Sequence, residues 1–261
     1  MSSSGHLEFQ HNILSYMTEI ARGNVPNASL FSSFGELETA GAVSNHLVWP
    51  LAGTPDLVVP PSPGVQMTLV SDSADDDKDA GTGIRSLIVH YLDVNLDAQQ
   101  EEVELEGLTP VTTTATDIQF VQCVHIKQYG SGTVAAGDIT ISHGGTAYSF
   151  VKTGDRRCSS SARRVPNGKT FFLHAMWSGS ASGTAAASST TRLVATNIAG
   201  HDFTTDGLTY PHASISVQDS SEALTMMQVM PFPAGTVLAM EVSADKGAVI
   251  SGGFAGWIED N

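Results

Sequence analysis

The sequence predicts an all-β protein, a jelly-roll-like β-sandwich preceded by an N-terminal helix and an extended arm. Three observations carry this. After Gly64, apolar residues recur at every second position in short runs, the period of a strand with one face buried. Turn residues interrupt these runs about every ten positions, as in sandwiches and jelly rolls. Charged residues are only 15% of the 261, below the ~25% of an ordinary globular domain. The polar surface must therefore come from Ser, Thr, Asn, Gln and Gly, a composition that suits β-rich assemblies better than helical enzymes.

Phe9, Ile13, Leu14, Met17, Ile20 and Ala21 recur at helical spacing, and Gly23 and Pro26 then supply stop signals. From Asn24 to Gln66 come six of the eleven prolines and little periodicity. That stretch reads as an extended arm with one short strand near Leu47 to Trp49. Residues 1–66 are therefore expected to form helix and arm, and 67–261 the β region.

Within that region Ile84 to Leu92 and Gln99 to Glu106 flank the turn-rich segment from Asp93 to Ala98, which predicts an antiparallel hairpin. Ile118, Phe120, Val124 and Ile126 share a face of the next run, and Ile139 and Ile141 alternate with Thr140 and Ser142. Further strands are expected at 170–177, 191–196, 213–218, 224–230, 236–242 and 253–258. The total exceeds ten, so the region is either an elaborated jelly roll or two successive sandwiches. The Gly-, Ala- and Ser-rich stretch 178–189 is the candidate subdivision.

Charge and hydropathy exclude partners. Twelve Lys and Arg stand against 27 Asp and Glu, a net charge of −15 that repels a phosphate backbone, so nucleic acid is not expected to bind. No apolar run reaches the ~18 residues of a membrane span, so no membrane partner is expected. The start lacks the basic and apolar regions of a signal peptide, which makes synthesis in a cytoplasm the expectation. Cys123 and Cys158 lack CxxC spacing and suggest neither a zinc site nor a disulfide framework.

A search for chemistry finds no catalytic set, metal site or cofactor site. GxSxG is absent, and the nine histidines are scattered singly, without HExxH or HxH. Asp202 beside His201 is the nearest acid–base pair, in a loop whose geometry adjacency does not fix. Asp72, Asp75, Asp76, Asp77 and Asp79 crowd one loop without EF-hand spacing, which reads as a solvated acidic turn. Gly81-Thr82-Gly83 precedes a strand, so it is no phosphate loop. The aromatics fall mostly in strand runs, although Trp49 and Trp257 leave sugar stacking open.

Two surfaces are candidates for docking. One is the helical stripe of Phe9, Ile13, Leu14, Met17 and Ile20, which either closes one end of the sandwich or inserts into a neighbouring subunit. The other is the only basic cluster, Arg156, Arg157, Arg163 and Arg164, which in an acidic protein either meets an acidic neighbour or forms a solvated rim.

Several motifs occur in a fixed order: Ile20-Ala21-Arg22-Gly23-Asn24-Val25-Pro26, Asp79-Ala80-Gly81-Thr82-Gly83-Ile84-Arg85, Leu92-Asp93, Leu105-Glu106-Gly107-Leu108-Thr109-Pro110-Val111-Thr112-Thr113, Ala136-Gly137-Asp138-Ile139-Thr140-Ile141 and Val165-Pro166-Asn167-Gly168-Lys169-Thr170. Over residues 20–175 this order resembles a family of tailed-bacteriophage virion structural proteins, frequent in phages of aquatic bacteria. The chain departs from the family pattern at Tyr91-Leu92-Asp93, Leu105-Glu106-Gly107 and Val165-Pro166-Asn167-Gly168-Lys169-Thr170, where the family tends to read GLD, LNG and VPAGKT. The motifs look like turn and strand-start signals and bring no activity with them. The resemblance implies a non-enzymatic virion component assembled in the host cytoplasm. The leading expectation is a capsid decoration or cement protein, a trimer that binds the major capsid protein on the capsid exterior. A tail-associated or receptor-binding protein is the alternative.

Overall fold

The computed structural model describes residues 15–49, 59–182, 187–196 and 210–261. The molecule is nearly all β. A helical segment at 15–21 precedes β1 (Ala28–Glu38), β2 (Val43–Leu47), β3 (Thr68–Ser71), β4 (Ile84–Leu92), β5 (Ala98–Glu104), β6 (Val111–Thr112), β7 (Phe120–Tyr129) and β8 (Ile139–His143). There follow β9 (Thr146–Val151), β10 (Arg163–Arg164), β11 (Lys169–Ala181), β12 (Ser188–Ala195), β13 (Tyr210–Gln218), β14 (Ser221–Phe232), β15 (Val237–Ala244) and β16 (Val249–Asp260).

Among the described residues the strands form four sheets. The first has the order β1-β16-β11-β14; in the second, β15, β12 and β13 run side by side, and both β2 and β10 pair with the free edge of β15. Without β3 to β10, eight strands remain. In chain order the first sheet places its strands first, eighth, third, sixth, and the second places them second, seventh, fourth, fifth. Phe171, Met176, Phe254 and Ile250 from the first sheet meet Leu193, Met240 and Val242 from the second in one buried cluster.

The third sheet, β6-β3-β8-β9, and the fourth, β5-β4-β7, are inserted between β2 and β11. They share a separate core of Leu69, Ile139 and Ile141 against Leu87, Val89 and Val124. A third cluster joins the two halves. Leu92 and Phe120 of the insertion meet Leu47, Val194, Val237 and Ala239 of the second sheet and Trp49 just after β2.

The expected hairpin is the β4–β5 pair, antiparallel from Ser86↔Glu104 to Leu92↔Ala98. The arm requires correction. Residues 28–47 are sheet, not arm: β1 pairs with β16 along its whole length, and Leu37 and Val48 lie in the larger core. The inward positions of β1 are Phe31, Ser33, Gly35 and Leu37, so the two in the middle carry no apolar bulk and the period-two signal is broken. Gly35 is required there, because a Cβ would lie 2.1 Å from the Val48 carbonyl oxygen. The stretch 178–189 is not a subdivision either. β11 and β12 on its two sides supply Met176 and Leu193 to the same core.

The helical segment lies on its own chain. Trp257 points away from the core because β16 alternates, and it receives Ile20 beneath the helix, with Met17 beside them. Tyr16 meets the Trp257 ring edge-on at 5.6 Å. Both Tyr16 Oη and Trp257 Nε1 donate to Glu259 at 2.7 Å. No helix among the described residues is long and apolar enough to cross a membrane.

Candidate functional site

Among the described residues, chemistry-bearing side chains converge at the seam between the insertion and the first sheet. In the antiparallel β4–β7 ladder His90 stands opposite Cys123, and Ile88 opposite His125. Alternate residues of a strand share a face, so Cys123 and His125 project together. The intervening Val124 goes into the core of the insertion. The imidazoles of His90 and His125 stack with centroids 4.9 Å apart. One ligand-type atom from each of His90, Cys123 and His125 falls within 4.8 Å of the other two, and all three residues are half-buried.

The segment after β9 closes one side. Cys158 donates its backbone N–H to Val124 O at 2.8 Å, and Val124 N–H donates to Cys158 Sγ at 3.3 Å. Arg157 lies over the Phe34 ring at 5.5 Å. Arg163 Nη1 donates to the carbonyls of Ser160 and Ala162. Opposite stand Ser32, Ser33 and Phe34 of β1 and Trp177 of β11. The cavity between the two sides measures about 460 Å³, and Cys123, His125, Cys158 and Arg163 also contribute to its wall.

Electrostatics divide the two thiols. A hydrogen bond to Cys158, together with burial, holds Cys123 protonated, well above the usual thiol range. Cys158 is held low, first by that same hydrogen bond from Cys123 and further by Arg163 and the Val124 and Ser160 amides. Cys158 is only 3% exposed, so the thiol that ionises more readily is the one a substrate cannot reach. A nucleophilic cysteine needs both properties in one residue. Burial, then His125 and Arg163, lowers His90 and keeps it a neutral imidazole.

The acidic loop does other work. Asp76 is fully buried and its carboxylate accepts from Ser71 Oγ (2.7 Å), Ile84 N (2.7 Å), Ala136 N (3.0 Å) and Gly137 N (2.9 Å). Asp72 accepts from Asp138 N at 2.7 Å, and Asp77 from the amides of Asp79 and Ala80. These carboxylates tie together the segments that carry the 79–85 and 136–141 motifs. The solvated-turn reading therefore fails at Asp76, which is a buried structural anchor.

Of the expected docking residues, Phe9, Ile13 and Leu14 lie outside the described residues, as do His201 and Asp202. Ile20 is buried against Trp257. Arg156 is exposed and bonds Thr133 Oγ1 at 3.0 Å. Arg164 is buried, with its Nε on Gly235 O at 3.2 Å. The basic cluster is thus split, with Arg156 and Arg157 on the surface, Arg163 half-buried and Arg164 inside. Trp49 and Trp257 are 1% and 7% exposed, too enclosed to stack a sugar. Sequence reasoning missed the His90, Cys123 and His125 cluster. Its one local signal is Cys123-Val124-His125, a Cys-x-His pair at strand spacing.

No family model matches the chain, and no curated protein is similar to it. Among solved structures, one of infectious bursal disease virus Gt strain is 12% identical, with 90% of this chain and 73% of that chain covered, at a TM-score of 0.16. A crystal structure of the VP2 subviral particle of infectious bursal disease virus is 10% identical, covering 96% of this chain and 77% of that chain, at a TM-score of 0.18. Likenesses at these scores carry no argument about fold or function.

Proposed function

We propose that this chain is a non-enzymatic virion structural protein, a capsid decoration or cement protein of a tailed bacteriophage. It is a jelly roll with a second sandwich inserted into it, and it binds the major capsid protein on the shell exterior as a trimer. The observation that carries this is the strand order. Two four-stranded sheets ordered first-eighth-third-sixth and second-seventh-fourth-fifth correspond to the double Greek key of a jelly roll, an architecture shared by viral capsid domains, lectins and cupins.

The architecture alone does not choose among those functions. The filled interior narrows them. Phe171, Phe232, Phe254, Met176 and Met240 occupy the space between the sheets, where a small-molecule binder keeps a cavity. Work is then left to the outer surfaces, which suits a molecule that adheres. The motif order from 20 to 175 adds the phage resemblance, and a charge of −15 suits the outside of a shell better than a surface lining packaged DNA. Several modest contacts per subunit, multiplied over a trimer, give avidity, and binding only to the assembled shell stabilises it by mass action.

Counting copies per purified particle by quantitative mass spectrometry tests the reading. Hundreds of copies are expected. A handful would indicate a tail position, and none would remove the protein from the virion. Purified chain mixed with undecorated capsids should co-sediment and saturate them, and the free protein should sediment as a trimer. Charge reversal at Arg156 and Arg157 should weaken capsid binding at low salt more than at high salt.

A further inference from the structure

We propose that His90, Cys123 and His125 form a binding site for a thiophilic transition-metal ion of the Zn²⁺ class, at the seam between the insertion and the first sheet. The donor set is two imidazoles and a thiol, which zinc favours over the oxygen ligands that calcium and magnesium require. The set is built into regular structure. Cys123 and His125 are alternate residues of β7, and His90 is the cross-strand neighbour of Cys123 on β4, so the ladder fixes their shared face before any ion arrives.

The distances are within reach of coordination. Zinc bonds of about 2.0–2.1 Å to nitrogen and about 2.3 Å to sulfur in a tetrahedron place donors roughly 3.3–3.6 Å apart. The three donors lie within 4.8 Å of one another. Coordination requires the donors to close by about 1 Å and the stacked imidazoles to turn so that their ring nitrogens face one point. All three residues are half-buried, so an ion can enter from the cavity, and a tetrahedron leaves its fourth position to water. An incoming ion displaces the proton of Cys123, as metal binding to a thiol generally does. Arg157 and Arg163 line the same cavity, and the thiolate formed on binding offsets their charge beside the ion.

Packing alone would also place two stacked histidines on a sheet face, but it predicts no ion. The full-length chain, purified in a reductant and stripped with a chelator, should take up about one Zn²⁺ per chain in competition with a chromophoric chelator. Co²⁺ in its place should give a thiolate-to-cobalt charge-transfer absorption. Cys123→Ser should abolish that absorption, and His90→Asn and His125→Asn should each weaken Zn²⁺ binding by about 100-fold or more. His143→Asn, an exposed histidine on β8, should leave binding unchanged. Circular dichroism establishes that each variant is folded, and the wild-type cobalt spectrum decides independently of the variants. Absence of uptake, a cobalt complex without thiolate absorption, wild-type affinity in Cys123→Ser, or a Cys123–Cys158 disulfide in the virion would overturn the proposal.

Discussion

Asp76 Oδ2 accepts the backbone N–H of Gly137 at 2.9 Å, joining two loops where a Cβ on Gly137 would meet Asp72 Oδ1 at 2.2 Å. The glycine is needed for the approach and the carboxylate for the bond. Asp76→Ala would strip a partner from one hydroxyl and three amides at a buried site and should destabilise the protein by about 3 kcal/mol or more. Gly137→Ala should cost about 1–3 kcal/mol through the clash. Urea midpoints should fall in both without a change of slope. A midpoint unchanged in Asp76→Ala would mean that the buried carboxylate is dispensable.

Deleting residues 1–66 should abolish folding, the reverse of what the arm reading leads one to expect. The deletion removes an edge strand from the first sheet and the β2 pairing from the second. It also takes Leu37, Val48, Leu47 and Trp49 out of two cores. Near-ultraviolet circular dichroism and a urea titration should show neither fixed packing nor a cooperative transition. A cooperative, native-like product would restore the arm.

Legibility in the sequence followed side-chain bulk. β4 was readable to its ends because Leu87, Val89 and Tyr91 all face one core and alternate with Ser86, Ile88 and His90. β1 was not, because its inward Ser33 and Gly35 are small for close approach to β16 and Val48. The insertion was hidden for another reason. Pairing of β2 with β15, as in Val242↔His46, depends on contacts between distant parts of the chain, which local periodicity does not encode. The metal-type cluster was half visible: Cys123 and His125 share a face by alternation, but placing His90 opposite Cys123 needs the register of β4 on β7. Asp76 looked like its exposed neighbours because burial of a carboxylate leaves no mark in composition.

His174 gives the protein a pH-dependent weakness. It sits at the bulge between Leu173 and Ala175, is 6% exposed, and its Nδ1 has no hydrogen-bond partner. Burial lowers its pKa below the ordinary histidine value. The unfolded chain therefore binds the proton more readily than the folded one. Stability from this residue is complete above the unfolded value of about 6.5 and is lost as pH falls below it toward the folded value. Urea midpoints between about pH 7.5 and pH 5 should decline less in His174→Gln than in the wild type. Parallel declines in the two proteins would assign the sensitivity to other groups.

Ser161 should prove to be the pin between the two halves. β2 and β10 both pair with the same edge of β15, leaving Ala239 and Met240 between them. The fully buried Ser161 fills that gap. Its Oγ accepts from Met240 N at 3.1 Å and donates to Met240 O at 3.3 Å, while its own N–H donates to Val48 O at 3.1 Å. Ser161→Ala keeps the backbone bond but removes both hydroxyl contacts, including the one from the Met240 amide. The expected loss is about 1–3 kcal/mol, read from the urea midpoint, with faster hydrogen exchange at the Met240 amide than in the wild type. If the midpoint fell but exchange at Met240 did not change, the hydroxyl would be stabilising the fold elsewhere and would not be the pin.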